Sequence, residues 1–355
     1  MRKAPLHSCT TIVILLSVLG GLSGFAAAAG IASCSADRRS GSVHVNDGSQ
    51  ENTPNVASSA PYVTTPIVET RNVSPGVPAT PWDAIHVPVH LWRDSRFEVF
   101  SWDCFPEILI FDISTFAMQD KLFKRLAFFV EKAGFRGTLH HDSDIAQRHA
   151  WNAHNYRAED LADFFNTARQ TGFPLLDEEW ELEALLLQAG IIRKNAAMQI
   201  VAGTGAVLSL SQESSAHAGL RERFMVHEGF HGLFFIDEDF RNFSRQRWEV
   251  FPDFAKTFLL AYLNQQSYDI TWDYLVINEF MAHVLQLPIS QVSWYFGQFL
   301  PTRVAARSPN AVPLREERRD GGRFWPELAN AFTAEAEAFS SYVNERWGFA
   351  AGRVW

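Results

Sequence analysis

The sequence predicts a mainly helical α+β protein with a small sheet. Three observations point there. Long segments with apolar residues at helical spacing fill the second half of the chain, and a few short β-branched and aromatic runs mark the first half. The 355 residues also include 29 Phe and 11 Trp, enough aromatic mass for a substantial core. Residues 81–355 can form one large domain or two joined lobes, an N-terminal one over 81–200 and a helical one over 201–355.

The first 80 residues have a different character. Arg2 and Lys3 precede a largely apolar stretch from Thr11 to Ala32, so residues 1–33 read as a signal peptide. The stretch ends in Ile31-Ala32-Ser33-Cys34. This resembles the bacterial lipobox, in which the cysteine is lipidated and becomes the mature N-terminus. The resemblance implies lipid on Cys34 and an envelope lipoprotein. Ser35 is not the Asp that commonly retains lipoproteins at the inner membrane, so the implied address is the outer membrane. An uncleaved signal anchor, or cleavage near Ala29, also fits the stretch, and all three readings export the chain. Residues 35–80 are rich in Ser, Asn, Pro, Thr and Gly without periodicity, which predicts a disordered tether. Only Cys104 then remains in the body, and it reads as a small buried hydrophobe.

Along the body, 96–102 and 107–113 are expected strands and 119–133 a helix ended by Gly134. Helices follow at 157–171 and 177–189, the second with an acidic start that suits the helix dipole. Residues 196–210 read as strand broken at Gly203-Thr204-Gly205. Further helices are expected at 218–235, 251–265, 272–287, 291–300 and 325–347. Asp237-Glu238-Asp239 is expected to end a helix in solvent. The stretches around His140-His141-Asp142, His149 and His154 read as polar loops, and 315–320 as solvated surface.

One motif carries specific chemistry. His227-Glu228-Gly229-Phe230-His231 is an HExxH pattern inside an apolar helix. Its histidines lie at i and i+4 on one face, where both imidazoles reach one zinc ion. Glu228 between them is placed to act as general base on a zinc-bound water. A catalytic zinc normally takes a third protein ligand. Glu279, in the apolar helix 272–287, is the best candidate, because a lone carboxylate there is costly unless paired or metal-bound. His283 lies one turn further on the same face, where it suits a supporting hydrogen bond or ligation itself. Asp237 has the spacing of the competing HExxHxxGxxH pattern, but Phe234 stands where that pattern needs glycine.

His227, Glu228 and His231, followed by Asn278, Glu279 and His283, resemble the gluzincin peptidases. The likeness covers two short segments and departs from the common pattern at 283, where Asp is more usual. It implies a zincin-like fold, one Zn2+ per chain, and a peptide or protein substrate. Tyr268, Tyr274, Tyr295, Arg303 or an upstream histidine remain open as donors to the developing oxyanion. A strand just before the motif helix, such as 206–210, would line the cleft by the same analogy. The leading expectation is therefore an exported, lipid-anchored zinc metallopeptidase. The rivals are a non-catalytic lipoprotein on a similar scaffold and a zinc hydrolase of non-peptide amides. A net charge of −9 without a basic stripe argues against nucleic acid as partner.

Overall fold

The computed structural model describes residues 77–355 apart from 83, 84, 86–88, 149, 151, 217 and 218. The side chains of 89, 215 and 216 are also outside the description. The expected signal peptide, Cys34 and nearly all of the expected tether lie outside the described residues. The described part belongs to one compact unit, Asn72–Trp355.

The fold is α+β and mainly helical. In chain order come β1 (Ala79–Thr80), β2 (Phe97–Trp102), β3 (Phe105–Ile113), α1 (Phe116–Glu131), α2 (Asp142–Ile145), β4 (Ala153–Arg157), α3 (Ala158–Thr171) and α4 (Asp177–Ala189). Then follow β5 (Ile192–Lys194), β6 (Ile200–Ala202), β7 (Ala206–Ser211), α5 (Leu220–Ile236), α6 (Glu238–Val250), α7 (Asp253–Gln265) and α8 (Asp273–Leu285). The chain closes with α9 (Ile289–Trp294), a π-helical segment at Tyr295–Phe299, α10 (Leu300–Arg307), β8 (Glu317–Arg319), β9 (Gly322–Phe324) and α11 (Pro326–Trp347).

The main sheet has the order β1-β2-β3-β7-β4. β3 and β7 are parallel, whereas β4 runs antiparallel to β7 and forms one edge. The sheet thus draws strands from both sides of residue 200. Alternation along the strands feeds two apolar layers. Leu109, Phe111 and Val207 face the layer made with α1, α3 and α4. Ile108, Ile110, Leu208 and Leu210 face the larger layer of α5, α7, α8, α10 and α11. Gly232 lets α5 lie close on the sheet, because a Cβ there would stand 2.9 Å from the Ile108 side chain.

Several expectations need correction. Ala79–Thr80, at the end of the expected tether, pair in parallel with β2. The break at 203–205 is real: at Gly205, with φ +117°, a Cβ would strike the Glu107 carbonyl. Residues 195–199 turn, however, so that β6 pairs with β5 in a separate hairpin. β7 is flanked by β3 and β4, so the strand that borders the motif helix with an open edge is β4. His154 lies in β4 rather than a loop. Asp237 ends α5 as expected, with Glu238 and Asp239 exposed, but it also opens an unexpected helix: its Oδ1 accepts from the Phe240 amide at 2.8 Å and caps α6. The charged run 315–320 is exposed but forms one arm of the β8–β9 hairpin, turning at Asp320 (φ 48°) and Gly321 (φ 77°). Cys104 is half-buried against the larger apolar layer rather than fully enclosed.

Candidate metal centre

Two helices build the site. α5 is packed on β7, β4 and α8, and nearly every residue from Met225 to Phe234 is buried. α8 is equally enclosed, from Leu275 to Leu285. Polar side chains at 227, 231 and 279 therefore meet across a dry helix crossing. His231 is fully enclosed, and Glu279 is 1% exposed.

The two histidine Nε2 atoms stand 3.0 Å apart. Glu279 approaches both, with Oε2 3.6 Å from His227 Nε2 and Oε1 3.7 Å from His231 Nε2. His227, His231 and Glu279 present one ligand atom each within 4.8 Å of one another, and among the described residues they form the one such group. His283 lies one helical turn beyond Glu279, its Nε2 3.5 Å from Oε2. The Gln286 side-chain amide meets His283 Nδ1 at 3.0 Å. The His283 ring also packs edge-on to His227 at 4.8 Å.

The donor set fits a cation. Among the described residues no ion pair joins Glu279 to a Lys or Arg, although the buried Lys132 feels its charge, and Oε2 has no hydrogen-bond partner despite complete burial. The two Nε2 atoms, 3.0 Å apart, share one hydrogen bond, and both Nδ1 atoms are buried without a partner. Two imidazoles and a carboxylate around one point are a metal-ion ligand set.

Electrostatics agree. Burial pushes the Glu279 carboxyl up, but His231, His227 and His283 outweigh it and hold it at about 2. Burial lowers His231 to about 4 and His283 to about 3, so both are neutral near pH 7. Burial also opposes charge on His227, yet the Glu279 carboxylate beside it leaves its pKa raised. An ionised Glu279 and a neutral His231 are forms that bind metal, whereas His227, its pKa raised, must give up its proton to do so.

Glu228 lies in the field of His227 and Glu279 and is held from the sheet edge. Asn155 of β4 donates from Nδ2 to Glu228 Oε2 at 3.0 Å. Burial raises the Glu228 carboxyl to about 8, while His227 and the Asn155 hydrogen bond work against that rise. Sequence reasoning missed Asn155, because the contact spans 73 residues and nothing local announces it.

Other expectations sort as follows. Asp237 is remote in function from the triad: its Oδ2 accepts from Arg346 at 2.6 Å. The spacing that recommended it instead serves the α5–α6 junction. Of the tyrosines, it is Tyr262, not anticipated, that packs against His283, with ring centres 5.2 Å apart. Tyr274 packs on Phe234 and Trp272. Tyr295 stacks on Phe299. His154 is tied to the Tyr156 hydroxyl at 3.1 Å on the opposite face of β4 from Asn155. His141 opens the exposed helix α2 and joins no ligand group.

No protein-family model matches the sequence, and neither a curated protein nor a solved structure matches it. No helix among the described residues is long and apolar enough to cross a membrane.

Proposed function

We propose that this protein is an exported, lipid-anchored zinc metallopeptidase with a zincin-like catalytic domain. The observation that carries the reading is the convergence of His227, His231 and Glu279 on one buried point, with Glu228 at its side. Three protein ligands leave one position for water or substrate, which separates a catalytic site from a closed structural one. Zinc, when bound, lowers the pKa of its water to about 7 and polarises a peptide carbonyl.

The chain's own residues supply the rest. The Asn155 hydrogen bond fixes one Glu228 oxygen and leaves the other to take the water's proton. The same carboxyl then returns the proton to the leaving amine. His283 stands behind Glu279, its Nε2 3.5 Å from Oε2 and close enough to steady the carboxylate, while Gln286 fixes the His283 ring. The outer edge of β4 has no strand partner among the described residues, so an extended peptide can add there beside Glu228.

Glu228→Gln tests the mechanism. The variant should keep about one zinc per chain, as in the wild type, and lose peptide cleavage by at least about a thousandfold. A variant as active as wild type refutes Glu228 as the base. The lipid anchor is tested by Cys34→Ser, which should abolish acyl labelling and release the protein from the membrane fraction. Full membrane retention by that variant would instead mark an uncleaved anchor. Outer-membrane localisation on fractionation completes the reading.

A further inference from the structure

Twelve of the 21 arginines among the described residues hold a carboxylate within 4 Å. Arg125 pairs with Glu179, Arg221 with Asp112, Arg247 with Glu335 and Arg346 with Asp237. Arg223 and Arg303 do not. Neither has an ion pair within 4 Å among the described residues, and each guanidinium lies instead over an aromatic ring. Arg223 stands 5.9 Å from the centre of Tyr295, and Arg303 stands 4.1 Å from that of Phe299. Those two rings stack on each other at 5.4 Å and belong to the π-helical segment Tyr295–Phe299. Such interruptions of an α-helix recur at functional sites.

This aromatic shelf borders the metal centre. Arg223 lies four residues before His227 on α5, so the two share a face one turn apart. Tyr262, whose ring touches His283, lies within the field of both guanidiniums. Arg223 is half-buried and Arg303 exposed, so the pair runs from the centre outward to solvent. A guanidinium held by a ring rather than by a carboxylate keeps its N–H donors for a planar anion. Stabilising the oxyanion is the poorer use of them, because Arg303 sits on Phe299 and on no ring of the triad.

We propose that Arg223 and Arg303 bind a carboxylate of the substrate beside the bond that is cleaved. The inference rests on the metallopeptidase reading and narrows it to peptides carrying an acidic side chain or a free C-terminus near that bond. The carboxylate would replace the acid partner that neither arginine has in the chain itself. The fork geometry of each guanidinium makes the contact bidentate.

Three peptides with one core sequence separate the sources. One is neutral with an amidated end, one has a free C-terminal carboxylate, and one carries an internal Glu with an amidated end. With zinc-loaded full-length protein, one of the two carboxylate peptides should exceed the neutral one in kcat/KM by about tenfold. That ratio should fall to near one in the Arg223→Gln/Arg303→Gln double variant. In Arg303→Glu the preference should turn toward a matched Lys peptide, a reversal that loss of structure cannot produce. Binding of glutarate to the metal-free protein, followed by calorimetry, gives a readout independent of catalysis. Glutarate should bind the wild type and not the double variant. If no peptide is cleaved but glutarate still discriminates the two proteins, the carboxylate site stands and the peptidase reading falls. If all three peptides are cleaved alike, with ratios unchanged in the double variant, the carboxylate site is overturned and the peptidase reading survives. Absence of both cleavage and glutarate binding overturns both.

Discussion

Two buried carboxylates in this protein have opposite surroundings. Asp112, on β3, receives Arg221 at 2.7 Å and Gln212 at 2.6 Å, and Arg221 also donates to the Ser211 carbonyl. Glu279, on α8, receives only imidazoles, all at 3.5 Å or more. Burying a charge is costly unless something pairs it. At Asp112 the chain brings its own cation and ties β3 to the start of α5. At Glu279 it brings imidazoles alone, of which His227 has its pKa raised by the carboxylate while His231 and His283 have theirs lowered by burial. The first arrangement is a strut. The second is a ligand set, and the difference lies in what the chain withholds.

The largest effect that would break this contrast is on metal. Glu279→Ala and His231→Ala should each reduce zinc content from about one per chain to near zero, read by elemental analysis, and should abolish cleavage. Asp112→Ala should leave the zinc stoichiometry of the folded protein unchanged. It strands the buried Arg221 guanidinium, so it should cost about 3–5 kcal/mol in denaturant unfolding. Zinc loss in Asp112→Ala, or full zinc retention in Glu279→Ala, would erase the distinction.

Metal removal sharpens it. Ligand binding stabilises the folded state by about 4 kcal/mol at a thousand times Kd. Chelation should therefore lower the melting temperature of wild type and of Asp112→Ala by similar amounts, and barely change that of Glu279→Ala. His283→Ala should be milder, weakening zinc by about 10–100-fold rather than eliminating it, because it supports Glu279 from behind.

The smallest effect is on pH dependence, and its sign differs between the two carboxylates. In the metal-free protein Glu279, held at about 2, contributes stability that is present above its ordinary value of 4.5 and lost as pH falls toward 2. Asp112 is pushed by burial from 3.8 up to about 6, so its contribution is present below pH 3.8 and lost as pH rises through 6. Asp112→Asn should flatten unfolding curves between pH 4 and 6 without altering the acid limb.

The same contrast explains what could be read in the sequence. The α5–α8 crossing was legible because apolar residues surround each polar one, so His227, His231 and Glu279 stood out as charges in a hydrophobic setting. The helix α4 was legible to the residue from its acidic start and the apolar spacing that follows. α6 was hidden by its polarity, since only Phe240 and Ser244 are buried. The cap at Asp237, with an acidic first turn, was the overlooked signal. β4 was hidden for the converse reason: Asn155 and Arg157 sit on a strand whose role is to border the site, so its face is not apolar. Asp320-Gly321 was a readable hairpin turn that the surrounding charges masked. The Arg221–Asp112 bond and the Asn155–Glu228 bond join residues far apart in sequence, and no local pattern encodes either.

The most direct measurement is anomalous diffraction at the zinc edge from crystals of the zinc-loaded full-length protein. The account predicts one peak, about 2.0–2.2 Å from His227 Nε2, His231 Nε2 and a Glu279 oxygen, with water at the remaining position toward Glu228. A peak capped by His283 as a fourth protein ligand would make the centre structural rather than catalytic. No peak among these residues would contradict the metal centre itself.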